Sequence, residues 1–140
     1  MKHENNGACP QCAKIFMRFP GVFPALRVWF DNLQESHPEA HISCAGRGEI
    51  EQEAVLRKGA SRAPWKKSAH NWNAAVDIFE MSGDRSNIYE RAWFEKIVAP
   101  RVPDFLVWYG APGAPFPELP HVEIKGWREL AAQGKLKLVE

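Results

Sequence analysis

An apolar run interrupted by one acidic residue constrains the fold of this 140-residue chain more than any other feature. Residues 74–79 read Ala-Ala-Val-Asp-Ile-Phe, a pattern that predicts a buried strand with Asp77 inside it. A carboxylate in such surroundings costs several kcal/mol unless it is paired or binds a metal. The sequence therefore predicts a packed core that also contains a specific partner for Asp77.

The length and composition predict one globular domain. The chain has a mass of 15.9 kDa and is 45% hydrophobic and 25% charged. It carries 18 basic and 17 acidic residues, so its charge of +1 gives no overall attraction for nucleic acid or an anionic membrane. No apolar stretch reaches the roughly 20 residues that span a bilayer, and the N-terminus lacks the apolar core of a signal peptide. We expect a monomer with a polar lead-in over residues 1–20, a domain over residues 21–140, and neither nucleic acid nor membrane as a partner.

The hydrophobic pattern predicts alternating helices and strands. Apolar residues three and four apart predict a helix between Pro20 and Pro38, and the Pro-rich residues 111–120 predict a loop. Further strands are predicted at 41–45, 105–109 and 121–124, and further helices at 49–58, from Ser86 to about Val98, and from Trp127. This order favours an α+β fold with a small, mainly antiparallel sheet backed by helices.

Candidate metal ligands lie near two of the predicted strands. His70 is seven residues before Asp77, and His121 opens the last strand with Glu118 three residues earlier. Two imidazoles and one carboxylate are a common zinc ligand set that leaves a fourth position for water, and Glu118 is a candidate general base and acid. Spacing alone leaves open the alternative that the histidines are structural and that Glu118 and Glu123 are solvated charges.

Three motifs then match a known family in order. Residues 68–77, Ser-Ala-His-Asn-Trp-Asn-Ala-Ala-Val-Asp, resemble the S-x-H-x-x-G-x-A-x-D signature of the zinc D-alanyl-D-alanine peptidases. That family includes the vancomycin-resistance D,D-peptidases and the L-alanyl-D-glutamate endopeptidases of phage endolysins. Residues 118–121, Glu-Leu-Pro-His, resemble its second motif, and Arg47 with Gln52 resembles its Arg-Ser-x-x-x-Gln segment. The resemblance covers roughly residues 40–127.

Two positions depart from the family pattern. Asn73 stands where the family usually has glycine, and Asn tolerates a left-handed backbone better than most residues do. Gly48 replaces the usual serine after Arg47, which puts one local hydrogen bond in doubt. Neither departure removes a candidate ligand.

The resemblance implies a role for each matching residue. The implied fold is the one shared with Hedgehog-type signalling domains. The implied ligands of one zinc ion per chain are His70, Asp77 and His121. The implied catalytic residues are Glu118, as general base and acid, and Arg47, which would stabilise the oxyanion. Substrate contacts are expected from Ser68, Gln52 and Trp72.

The resemblance implies that residues 21–140 form a zinc peptidase that cleaves the peptidoglycan stem peptide. The expected activity is an L-alanyl-D-glutamate endopeptidase that acts as an endolysin, in the host cytoplasm until lysis and then at the cell wall. A D-alanyl-D-alanine carboxypeptidase or dipeptidase is the alternative enzyme. The alternatives from another class are a non-catalytic binder of wall peptide, which would not need Glu118, and a small nucleic-acid module built on the basic residues 57–67.

A pair of cysteines near the N-terminus has two further interpretations. Cys9-Pro10-Gln11-Cys12 is half of a zinc ribbon or a redox pair. Because a structural zinc needs four ligands, Cys44 and His3 are the obvious supplements. We expect two reduced thiols in a flexible lead-in, with Cys44 as a small buried residue and His41 as a structural one.

Overall fold

The fold is described from a computed structural model, which covers residues 9–82, 85–114 and 117–140. The strands are β1 (Ala40–Cys44), β2 (Ala75–Ser82), β3 (Arg85–Ile88), β4 (Leu106–Trp108) and β5 (His121–Ile124). The helices are α1 (Pro10–Arg18), α2 (Pro24–Ser36), α3 (Glu49–Arg57), α4 (Arg91–Trp93) and α5 (Trp127–Ala132). A 3-10 turn, Ala69–Trp72, precedes β2, and α4 continues through a π-helical turn, Phe94–Val98, and a 3-10 turn, Ala99–Arg101.

The five strands form one antiparallel sheet with β2 at its centre. The strand order is β1-β2-β5-β4, and β3 also pairs with β2. In this register Asp77 lies opposite Cys44 of β1 on one side and opposite His121 of β5 on the other. The predicted α+β fold with a small antiparallel sheet backed by helices is confirmed, and the sheet brings residues 44 positions apart in sequence into contact.

The core lies between the sheet and the helices. Helix α2 buries Leu26, Phe30 and Leu33, whose three- and four-residue spacing places them on one face. They join Ile42 of β1 and Ile78 of β2 in one cluster of buried residues. Burying a side chain of this size contributes about 1.5–3 kcal/mol, so the packed helices hold β1 and β2 rigidly. Within the described part of the chain, none of the helices combines the length and apolar character that crossing a bilayer requires.

The segment predicted to be a polar lead-in is helical where the structure describes it. Pro10 begins α1, a position that suits proline because its missing N–H would lack a helical partner there. Cys12 and Phe16, four residues apart, lie on one face and are buried in the core. The expectation of a polar lead-in is therefore wrong for residues 9–20, because proline and glycine at the segment's ends masked a short amphipathic helix. Residues 1–8 lie outside the described residues.

The helix predicted from Ser86 begins later. Residues Arg85–Ile88 form β3, which pairs with the second half of β2, and α4 begins at Arg91. Strand β5 pairs only with Ala75–Asp77 of β2, so the rest of β2 needs another partner on that side. The backbone hydrogen bonds of that long strand override the local helical pattern. The other predicted helices and strands are confirmed to within one to three residues at each end.

Candidate active site

Three structural elements bring His70, Asp77 and His121 together. His70 lies in the 3-10 turn, which Ser68 precedes, and the Ser68 hydroxyl accepts a hydrogen bond from the His70 backbone N–H at 3.3 Å. Asn73 ends the turn with a φ of 56°, in the left-handed region, so that the chain can enter β2. The prediction that Asn replaces the family's glycine without loss of this turn is confirmed. The antiparallel pairing of β2 with β5 then sets His121 beside Asp77.

One carboxylate oxygen lies between the two imidazoles. Oδ1 of Asp77 is 3.2 Å from Nε2 of His70 and 3.1 Å from Nδ1 of His121. The two rings are nearly perpendicular, at 77°, with their centroids 5.0 Å apart. Both histidines are buried, whereas Glu118 is half-buried, and its carboxylate lies within 4.8 Å of donor atoms of Asp77 and His121. The structure thus places a ring nitrogen of each histidine against one Asp77 oxygen, and the Glu118 carboxylate near Asp77 and His121.

The two separations that involve Asp77 suit a zinc ion. Two ligands of a tetrahedral zinc with ordinary bond lengths lie about 3.4 Å apart, close to the contacts that Asp77 makes with the two histidines. Two imidazoles and one carboxylate are also a ligand set that catalytic zinc sites use, with a fourth position left for water or substrate. In donor type and in the two separations to Asp77, the residues present therefore fit the metal that the sequence resemblance implies.

His70, Asp77 and His121 lie close enough to shift one another's pKa values. Burial disfavours the charged imidazoles, but the Asp77 carboxylate outweighs it and raises the pKa of both His70 and His121. Burial would likewise raise the pKa of Asp77, but the two histidines hold it well below its usual range. Asp77 is therefore ionised at neutral pH. Without a metal, protons on the histidines supply the positive charge that its buried carboxylate requires.

A carboxylate and a phenol orient His121 from the side away from Asp77. The Nε2–H of His121 donates to Glu123 at 2.8 Å, and the Tyr109 hydroxyl donates to the same carboxylate at 2.7 Å. Burial, together with the Glu123 carboxylate, raises the pKa of Tyr109, which remains a hydrogen-bond donor. Such a contact fixes the ring and directs its other nitrogen, Nδ1, towards a metal. Glu123 is buried, which excludes the alternative that it is a solvated charge. Its position two residues after His121, on the same face of a strand, was the available signal.

Cys44 lies beside His70, much as Glu123 lies beside His121. Its Sγ is 3.6 Å from Nδ1 of His70, the ring nitrogen opposite the one that contacts Asp77. Burial would raise the pKa of this thiol, but the neighbouring His70 lowers it. The sequence offers no local signal for this contact, because the pairing of β1 with β2 creates it.

The cluster opens into a cleft of about 490 Å³. His70, His121 and Glu118 line it, and so do Ser68 and Arg47. Glu123, two residues after His121 on β5, also reaches its wall. The basic side chains along the cleft are Arg47, Arg62, Lys67 and Arg128. The walls carry two other charged groups, the carboxylates of Glu118 and Glu123, so positive charge is in excess along the cleft.

Gln52 supports Arg47 from behind rather than lining the cleft. Its Oε1 accepts hydrogen bonds from Nη1 of Arg47 at 3.1 Å and from Nδ2 of Asn71 at 3.0 Å. Its Nε2 donates to the Ala63 carbonyl at 2.6 Å, and its side chain is fully buried. The expectation of direct substrate contact by Gln52 is corrected, because no part of the side chain is exposed. Asn71, which we did not predict, also donates to the Arg47 carbonyl at 3.0 Å and so joins the first motif to the arginine.

Trp72 does not line the cleft formed by the described residues. Its indole N–H donates to the Lys66 carbonyl at 2.9 Å, and its ring packs against the hydrophobic core. Because the 3-10 turn rotates consecutive side chains apart, Trp72 lies away from the site while its near neighbour His70 faces it. The predicted substrate contact by Trp72 is therefore corrected to a structural one.

Comparison with known proteins supports the fold. No protein-family model matches the sequence, and no curated protein matches it significantly. The structure is similar to that of the L-Ala D-Glu endopeptidase ChiX of Serratia marcescens, with a TM-score of 0.65. The match covers 84% of this chain and 90% of that chain at 19% sequence identity. At this identity the comparison establishes a shared fold, the D,D-peptidase-like α+β fold that the sequence predicts.

Proposed function

We propose that the protein is a zinc-dependent peptidase that cleaves the stem peptide of peptidoglycan. The observation that carries the proposal is the pair of contacts, 3.1 and 3.2 Å, between one Asp77 oxygen and two buried histidines. Glu118 stands beside this cluster in the same cleft. The fold shared with an L-Ala D-Glu endopeptidase and the three sequence motifs support the same conclusion.

In this proposal His70, Asp77 and His121 hold one zinc ion. When bound, zinc would supply Lewis acidity towards a peptide carbonyl and towards water. Glu118 is the base that takes a proton from the attacking water as its oxygen adds to the carbonyl carbon. Glu118 then passes that proton to the amine as the carbon–nitrogen bond breaks. Its partial exposure fits this role, since the base must reach both water and substrate.

Arg47 is positioned to stabilise the negative oxygen that forms during the attack. Gln52 and Asn71 fix its side chain and its carbonyl, so the guanidinium needs little reorganisation to donate to an oxyanion. Ser68 lies on the same wall, where its hydroxyl can contact the substrate peptide while accepting from the His70 N–H. Glu123 and Tyr109 act through His121 by holding its ring.

The basic walls of the cleft support an anionic substrate. Arg62, Lys67 and Arg128 attract carboxylates, which a stem peptide carries and a neutral peptide lacks. We assign the L-alanyl-D-glutamate bond as the one cleaved because the fold is similar to that of an L-Ala D-Glu endopeptidase. The endolysin role belongs to the same proposal, with the protein in the host cytoplasm until lysis and then at the wall. It rests on the resemblance to the phage branch of the family. We propose that the protein acts there as a monomer.

Mass spectrometry of the soluble products from purified peptidoglycan tests this function. The zinc-loaded protein should release fragments with a new amino terminus on D-glutamate, and a chelator or the Glu118→Gln change should abolish them. Release of a terminal D-alanine would overturn the assigned bond in favour of a carboxypeptidase. Intact peptidoglycan, after incubation with protein shown to contain zinc, would contradict catalysis and indicate a wall-binding domain.

A further inference from the structure

We propose that Cys9, Cys12 and His41 form a second metal site, which binds zinc and joins α1 to the sheet. One donor atom from each of the three residues lies within 4.8 Å of the other two. The exposed fractions of the three residues are 3%, 2% and 0%, respectively. The site is separate from the cleft and does not depend on the proposed peptidase function.

The local structure directs the three side chains to one point. Cys9 is the residue that precedes α1, and Cys12 lies in its first turn, so the two-residue spacing brings both sulfurs to the same end of the helix. His41 approaches from β1, and stacking on Phe79, with ring centroids 5.6 Å apart, fixes its ring. Helix and strand therefore present the donors from two sides.

The sulfur–nitrogen distance matches zinc coordination. Sγ of Cys12 is 3.6 Å from Nδ1 of His41. Two ligands of a tetrahedral zinc, with a sulfur at about 2.3 Å and a nitrogen at about 2.0–2.1 Å, lie about 3.6 Å apart. The side chains thus already stand at coordinating separation. These three residues define the site, and a fourth ligand would complete the tetrahedral coordination of zinc.

The chemistry of the donors also fits a divalent, thiophilic ion in a buried position. Two thiolates cancel the charge of a divalent cation, which removes most of the cost of burying either alone. Burial raises the pKa of the Cys12 thiol to about 12, and the Ile42 backbone N–H and Nε2 of Gln34, which both donate to its Sγ at 3.4 Å, offset part of that cost for a thiolate. Gln34 is itself held by a 2.9 Å bond to the Ala40 carbonyl. Sulfur donors favour zinc over magnesium or calcium.

Burial assigns a structural role to this second ion. No substrate could reach donors that are at most 3% exposed, and closed sites of this kind stabilise a fold. The ion would fasten α1 to β1, the strand whose last residue, Cys44, lies opposite Asp77. Removing it should loosen the N-terminal helix and lower the melting temperature.

Titration of the metal-free, reduced protein with Co²⁺ tests the proposal, because cobalt bound to thiolate absorbs in the near ultraviolet. The wild-type protein should bind two equivalents, and one of them should show this charge-transfer band. Asp77→Ala should lose the other equivalent and keep the band. Cys12→Ser should lose the band, whereas the matched control Cys44→Ser, which removes the cysteine beside the cleft, should keep it.

Three results would overturn the second site. One is a wild-type titration without the charge-transfer band, which is decisive even if Cys12→Ser fails to fold. Another is a band that disappears in Cys44→Ser and persists in Cys12→Ser, which would assign the sulfur ligand to the cleft. The third is a Cys9–Cys12 disulfide, detected by intact mass, in metal-free protein isolated without added oxidant.

Discussion

The cleft cluster and the cysteine cluster are two donor sets of the same domain that differ in what surrounds them. His70, Asp77 and His121 offer nitrogen and oxygen at the edge of a cleft of about 490 Å³. Cys9, Cys12 and His41 offer mostly sulfur and are closed in by the core. An open coordination position beside a base permits chemistry, whereas a closed site can only stabilise. The comparison shows that access to the donors, more than their number, separates a catalytic from a structural site.

The largest effect should come from Glu118, which only the cleft cluster has beside it. Replacing Glu118 by Gln should lower the rate of stem-peptide hydrolysis by about 10²- to 10⁴-fold, because it removes the proton carrier and leaves the three ligands. Metal analysis should still find zinc in the cleft. Glu95→Gln, a matched change on an exposed helical surface, should leave the rate unchanged. Near-normal hydrolysis by Glu118→Gln would assign the base to another residue.

The two clusters should lose their metals independently. Asp77→Ala should release the zinc of the cleft and abolish activity, while Cys12→Ser should release the second ion and leave the cleft zinc bound. Each loss should also lower stability, by about 2.7 kcal/mol where the ion is present at 100 times its dissociation constant. Metal content and thermal melting of both variants check this. Simultaneous loss of both ions in either variant would contradict the separation of the sites.

A smaller effect should follow from the residues that orient His121. Glu123→Gln should weaken zinc binding in the cleft by about 10- to 100-fold, since outer contacts to ligating histidines contribute at that level. Tyr109→Phe should weaken it less, because it keeps the ring that packs on His121, with centroids 4.8 Å apart, and removes only the hydroxyl that donates to Glu123. Zinc affinity measured against a competing chelator, for each variant and for the double variant, should show that the two effects are not additive. Equal affinities in all four proteins would show that the contacts to Glu123 have no part in metal binding.

The smallest effect should come from Trp72, which the structure places outside the cleft. Trp72→Phe keeps an aromatic ring and removes the hydrogen bond to the Lys66 carbonyl. Such a bond contributes about 0.5–1.5 kcal/mol, so the melting temperature should fall slightly while the rate of hydrolysis stays the same. A raised KM for the stem peptide would restore Trp72 as a substrate contact.

The sequence predicted the central parts of the fold and of the cleft because their signals are local. An apolar run around Asp77 and helical spacing from Phe23 to Leu33 each report on burial within a few residues. The motif around His70 likewise lies in one short segment, and the structure adds His121 through strand pairing in the expected way. The turn at Asn73 was also predictable, since few residues accept its backbone conformation.

What the sequence did not predict depends on contacts between distant segments. The roles of Cys44 and His41 arise from how β1 meets β2 and α1, and no spacing within the chain encodes those contacts. Gln52 was expected to contact substrate, but only packing shows that its amide faces Arg47 and Asn71 instead of the cleft. Strand β3 was missed because the pairing needs of β2 outweighed a local helical pattern.

X-ray absorption spectroscopy at the zinc edge tests the central claim, that His70, Asp77 and His121 hold the zinc of the cleft. The sample is the folded, zinc-loaded Cys9→Ser/Cys12→Ser variant, in which Cys44 is the one remaining cysteine of the chain. The account predicts only nitrogen and oxygen ligands, at about 2.0–2.2 Å. A sulfur ligand at about 2.3 Å would place Cys44 on the metal and contradict the assigned ligand set.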